Sequence, residues 1–140
     1  PLLQPDLSVL ISLLYDRKYQ ILIETNGSID LSQIPDYVHK IIDVKCPDSG
    51  EGKSFLKENL LYFKPERDNL KFVISSENDY LWAKAFLKNN QLAGESILFS
   101  TVLNKLEPRT IAEWIIRDRL DVRFQLQIHK FIWSPEQKGV

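Results

Sequence analysis

Apolar positions along this chain change their spacing several times, and each change predicts an element. Leu7, Leu10, Ile11 and Leu14 recur at helical spacing with Pro5 just ahead, which predicts an amphipathic helix with these four on its buried face. Tyr19 to Thr25 reads as a strand closed by Asn26-Gly27, and Ile41 to Lys45 as a second strand. Between them Pro35 interrupts any long helix, so Ser28 to Lys40 reads as a short helical turn and loop. From Cys46 to Arg67 the alternation breaks: Pro47, Gly50 and Gly52 open a loop insertion, residues 46–67, in which Phe55 to Phe63 form one short amphipathic helix before Pro65. Leu70 to Ile74 predicts a third strand, and Ser76-Glu77-Asn78-Asp79 has capping-box spacing ahead of a helix that buries Tyr80, Ala83 and Leu87. Ser96 to Phe99 predicts a fourth strand. Thr110-Ile111-Ala112-Glu113 predicts a second capping box, with Ile111, Trp114 and Ile115 on the inner face of its helix.

The last stretch, Asp121 to His129, predicts the fifth and longest strand. Val122, Phe124, Leu126 and Ile128 fall on one face, and Arg123, Gln125, Gln127 and His129 on the other. Strands alternating with helical stretches imply βα units and a mainly parallel sheet. A flat doubly wound sheet is covered on both faces, so a strand with one polar face points instead to a lumen. The fold class is therefore α/β, and a barrel or partial (βα) barrel explains the polar face best.

Composition narrows the partners. The 140 residues carry 18 Lys plus Arg against 19 Asp plus Glu, a net charge of -1, which offers no overall electrostatic footprint for nucleic acid or an anionic membrane. The hydrophobic fraction of 44% with 26% charged residues is that of a globular domain, and one domain, residues 1–140, is the expectation. No apolar run reaches membrane-spanning length and no signal-like segment opens the sequence, so a soluble, cytoplasmic protein is expected. The one cysteine, Cys46, cannot form an internal disulfide or hold an iron–sulfur cluster by itself. There is no methionine, and the chain opens at Pro1 already running toward a helix, which suggests a portion of a longer protein.

In parallel α/β proteins ligands bind at the carboxyl ends of the strands. Here those ends are polar: Glu24-Thr25-Asn26-Gly27, then Asp43 and Lys45, then Ser75 and Ser76, then Ser100 and Thr101, and finally Gln127, His129 and Lys130. Ser75 and Ser76 are accounted for by helix capping. Asp43 and Lys45 leave an apolar strand on one face, where they either meet a ligand or pair with each other. Cys46 reads as a small packing residue and not as a nucleophile, and His39 as solvated. His129 suits a structural and a catalytic role equally. The sequence holds no phosphate-binding glycine loop, no paired histidines on a helix and no nucleophile elbow, so the residues by themselves reach a polar ligand or cofactor site and go no further.

Several stretches together resemble the radical S-adenosylmethionine enzymes of the 7-carboxy-7-deazaguanine synthase family: Pro1-Leu2-Leu3-Gln4, Ile23 to Ser28, Asp43 to Gly50, Leu70 to Ile74, and Arg123 to Lys130 followed by Trp133 and Gly139-Val140. The resemblance spans the chain in order and implies a partial βα barrel. It implies S-adenosylmethionine bound at a four-iron four-sulfur cluster, magnesium, and a pterin substrate, 6-carboxy-5,6,7,8-tetrahydropterin, whose radical ring contraction yields 7-carboxy-7-deazaguanine. The family's three-cysteine motif is absent, and Pro1-Leu2-Leu3-Gln4 resembles the continuation of its Gly-Gly-Glu-Pro segment, so the resemblance makes this chain the carboxyl-terminal part of such an enzyme, inactive alone.

For the cofactor, the resemblance implies contacts from Asp43, Val44 and Lys45, where other members carry Ser-Pro-Lys. It implies a second set from Phe99, Ser100, Thr101 and Val102, where Ser100 and Thr101 depart from the usual Gln-Pro and backbone contacts carry over. The carboxylate of Val140 is the implied substrate contact. No catalytic side chain and no metal ligand are implied within this chain. A reductant protein is the implied partner of the parent enzyme, and a homodimer is compatible. Two other readings stay open at this point: a glycyl-radical activating enzyme, which shares the Asn-Gly strand end but acts on a protein, and a non-catalytic nucleotide-binding α/β domain.

Overall fold

The structure is a computed structural model and describes residues 1–102 and 104–133, apart from the side chains of His129 and Phe131. The elements run α1 (Leu7–Asp16), β1 (Leu22–Thr25), β2 (His39–Asp43), β3 (Asn69–Ile74), α2 (Glu77–Asn89), β4 (Ile97–Thr101), α3 (Pro108–Asp118), β5 (Arg123–Phe124) and α4 (His129–Ile132). All four strand pairings are parallel, and the strands lie side by side in chain order. This is the α/β, partial-barrel type of arrangement that the sequence predicts.

The period-two alternation divides the sheet cleanly. Ile42, Val44, Leu70, Phe72, Ile74, Ile97 and Phe99 are all buried against the helices. Phe72 and Phe99 meet edge to face, 5.6 Å between ring centroids, and Tyr80 of α2 packs on Phe99 at 6.1 Å. Each such side chain contributes about 1.5–3 kcal/mol through burial. The opposite face carries Glu24, Asp43, Lys71 and Ser100, brought into line by the registers Glu24↔Ile41, Asp43↔Lys71 and Val73↔Ser100. As expected, α2 buries Tyr80, Ala83 and Leu87, and α3 buries Ile111 with Trp114 and Ile115 packed against the core.

Five expectations are corrected. The fifth strand is the shortest and not the longest: it pairs only as Arg123↔Leu98 and Phe99↔Phe124, followed by one further bond from the Gln125 amide to the Phe99 carbonyl. β4 runs on to Thr101, but the chain leaves it after Gln125, and the backbone of His129 enters the short helix α4. The capping box at Thr110 does not form, because Pro108 starts α3 two residues earlier, with Glu107 at the N-cap, and Glu113 pairs with Arg109 at 2.7 Å. Leu10 is 51% exposed and shares the outer side of α1 with Val9 and Leu13, while Leu7, Ile11 and Leu14 face inward. Finally, β2 begins at His39, two residues early, and the Phe55–Phe63 helix is a 3-10 helix, Lys57–Tyr62.

The segment 46–67 is tied down at its middle and just past its end. Asn59, almost fully buried, donates to the carbonyls of Gly27 and Ile29 (2.9 Å each) and accepts from the Leu31 amide (2.9 Å), clamping the loop after β1. Asp68 accepts from the amides of Lys40 and Lys64 (3.0 Å each) and forms an ion pair with the Lys40 ammonium at 2.9 Å. Gly27 sits at φ +67° with the Phe55 ring where a Cβ would stand, 2.7 Å away, so glycine is required there on both counts.

Candidate functional site

The carboxyl ends of β1, β2 and β3 open onto two adjoining cavities. One, of about 430 Å³, is lined by Pro1, Leu2, Glu24, Asn26 and Ser28 among others; the second, of about 330 Å³, is lined by Lys71, Ser75, Asp79, Lys105 and Gln127 among others. Asp43 and Lys45 line both. These volumes lie in the range of small-molecule sites.

Asp43 and Lys45 do pair, Lys45 Nζ donating to Asp43 Oδ2 at 2.7 Å, and this leaves Asp43 Oδ1 buried without a partner. The ion pair therefore takes one carboxylate oxygen and leaves the other without a partner among the described residues. Ser100 Oγ and Gln127 Oε1 are likewise buried and unpartnered among the described residues. Burying a polar atom without a hydrogen bond is costly. Of these three, Asp43 and Gln127 line the smaller cavity, which leaves two acceptor atoms without a partner at its wall.

The remaining implied contacts divide by face. Val44, Phe99 and Thr101 point into the helix-packed core, so only their backbone can reach a ligand, whereas Val102 lines the smaller cavity. Val140 lies outside the described residues, and His129 is described by its backbone alone. Cys46 is buried; desolvation, reinforced by the nearby charges of Asp79, Asp43 and Asp48, pushes its thiol far above the ordinary range, which removes it as a nucleophile and as a ready metal ligand. The described residues contain no group of three or more His, Cys, Asp or Glu that could hold a metal ion.

Lys71 was not singled out by sequence. It donates to Glu24 at 2.9 Å, bridging β1 and β3 on the cavity side. The signal was present, since Lys71 interrupts an apolar strand as Asp43 does, and register puts the two opposite each other. Asp48 and Asp79 were missed as well. Asp79 accepts from the Asp48 amide (2.9 Å) and from the amide and hydroxyl of Ser75 (2.9 and 2.7 Å), and Asp48 accepts from the Ser76 hydroxyl (2.5 Å) and from Asn78 Nδ2 (3.0 Å). The hydrogen bond from Ser76, then that from Asn78, lowers the Asp48 carboxyl below its ordinary value. Ser76 also caps α2 as expected, accepting from the Asp79 amide at 3.1 Å.

A parallel sheet of partial-barrel type with polar-lined cavities at its strand ends defines an α/β protein of the partial (βα) barrel class. No protein-family model matches the chain. Curated relatives do. It is 46% identical over 143 residues to the 7-carboxy-7-deazaguanine synthase of Chlorobaculum tepidum, which covers 100% of this chain and 65% of the relative. It is 45% identical over 136 residues to the synthase of the same name from Koribacter versatilis, covering 87% of this chain and 60% of that protein, and 35% identical over 146 residues to that of Clostridium acetobutylicum, covering 100% and 66%. The chain belongs to the 7-carboxy-7-deazaguanine synthase family. It spans no more than about two thirds of the length of these relatives.

Proposed function

We propose that this chain forms the carboxyl-terminal part of a 7-carboxy-7-deazaguanine synthase, a radical S-adenosylmethionine lyase that converts 6-carboxy-5,6,7,8-tetrahydropterin to 7-carboxy-7-deazaguanine. The observation that carries the reading is the alignment of the entire chain, at 46% identity, with a protein of that name.

S-adenosylmethionine fits the residues present. Its amine and ribose hydroxyls are the kind of donors that the orphaned Asp43 Oδ1 and Gln127 Oε1 lack, and Lys45 supplies a positive charge for its carboxylate. When bound, the cofactor supplies one-electron hydrogen abstraction, chemistry that no side chain provides. Asp43 and Lys45 hold their ligand at the end of β2, Gln127 offers an acceptor from the far wall, and Val73 and Val102 keep water from the cavity between them. Glu24, held by Lys71, presents a carboxylate to the adjoining cavity.

The iron–sulfur cluster does not fit the described residues, whose one cysteine is buried and protonated. In this reading its ligands belong to the part of the protein that the relatives have beyond the aligned region. Magnesium likewise receives no ligand set here, and a reductant protein completes the system. The test is anaerobic reconstitution of the full-length protein with iron, sulfide, S-adenosylmethionine and the carboxytetrahydropterin. Formation of 7-carboxy-7-deazaguanine is expected, and absence of turnover by a cluster-loaded protein overturns the reading.

A further inference from the structure

We infer that Asp79 is a positioning residue for the cofactor-facing end of β2, a role that rests on the reading above. Asp79 is 1% exposed at the first turn of α2, and its carboxylate is fully engaged: Oδ1 takes the Asp48 amide, and Oδ2 takes both the amide and the hydroxyl of Ser75. With three donors already on its two oxygens it has little left for a ligand, so it acts through the backbone it holds.

That backbone is the stretch following Lys45. Val44 is fixed by its amide bond to the Lys71 carbonyl at 2.8 Å, and Asp48 is fixed by Asp79. Only Lys45, Cys46 and Pro47 lie between these two anchors. Cys46 is buried, its carbonyl accepts the Ser49 hydroxyl at 2.6 Å, and proline restricts the next φ. The segment that carries Lys45 into the cavities therefore has almost no slack, while its ion-pair partner Asp43 is fixed by β2 pairing opposite Lys71. The interlock is also reciprocal, since the Asp48 carboxylate accepts from Ser76 and Asn78 at the start of α2. Two carboxylates, each receiving donors from the other's segment, join the ends of β2 and β3 into one rim.

Helix capping alone does not require this arrangement. The cap is made by Ser76, and a carboxylate at the position of Asp79 would complete a capping box by turning back to the Ser76 amide. Asp79 turns instead to Ser75 and across to Asp48.

Asp79→Asn keeps the shape but sets an amide donor against a backbone donor, leaving a buried N–H without an acceptor. In the full-length protein we expect the Kd for S-adenosylmethionine, measured by calorimetry, to rise about tenfold or more. The KM for the carboxytetrahydropterin should stay within about twofold, as expected of a change confined to one ligand's contacts. Asp68→Asn, destabilising but remote from the cavities, should change neither. Unchanged cofactor affinity in Asp79→Asn, or equal losses for both ligands, overturns the inference. Wild-type protein that binds S-adenosylmethionine without converting the pterin overturns the functional reading alone, and wild-type protein that fails to bind the cofactor overturns both. Should Asp79→Asn not fold, amide exchange on the wild type decides: Asp48 and Ser75 protected like the strands supports the inference, and exchange at exposed-loop rates overturns it.

Discussion

Lys40 shows how far a single residue can depart from its type. Its side chain is 2% exposed and its ammonium meets Asp68, which is also held by two backbone amides. A buried charge with its partner removed is strongly destabilising. Asp68→Asn should therefore lower stability by about 3 kcal/mol, read as a shift of the urea midpoint. A loss below about 1 kcal/mol, the size of an exposed pair, would show that the Lys40 charge finds water. A second residue-scale prediction concerns Asp48. Its carboxyl is held below the ordinary aspartate value by Ser76 and then Asn78, so its ionised form favours the folded state. That contribution is present above the unfolded-state pKa and is lost as pH falls through the folded one. Carbon-13 shifts of the Asp48 carboxyl should give a midpoint below 3.8, and a midpoint at or above that value would contradict the interlock with α2. None of these pairings was legible in sequence, because each joins residues some thirty positions apart whose types alone do not identify partners. Asp43 and Lys45 were legible because they break an apolar strand on one face.

At the scale of elements, the periodic signals located every helix of the core and all five strands. They failed where an element's extent depends on its neighbour. The alternation from Val122 to His129 is as regular as any in the chain, yet only two residues pair, since the chain turns away from β4 after Gln125 and its next element is the helix α4. The missed start of α3 has a local cause: Pro108 supplies the first helical φ, and this outweighs the Thr110 pattern. The other end of α3 is strained, with Arg119 left-handed at φ 50°. Arg119→Gly removes that strain and is expected to raise stability by up to about 1 kcal/mol. Thermal unfolding checks this, and a lower melting temperature would mean that the Arg119 side chain has a stabilising role the geometry does not reveal.

At the scale of the whole molecule, the described sheet presents β1 at one border with no further strand beside it, and α1 shows Val9, Leu10 and Leu13 to solvent on the same flank. Exposed apolar residues next to an unpaired strand edge favour association. The 140-residue chain by itself is accordingly expected to self-associate with rising concentration in sedimentation velocity. A single monodisperse monomer would refute that expectation. No described helix is long and apolar enough to cross a membrane.

The strands are arranged in space in the order in which they are written in the chain. During synthesis, each strand that leaves the ribosome therefore finds its hydrogen-bonding neighbour already present, and none has to wait for a distant segment still to be translated. Each pairing joins strands consecutive in sequence, which favours stepwise, vectorial assembly over the slow search that more distant pairings impose.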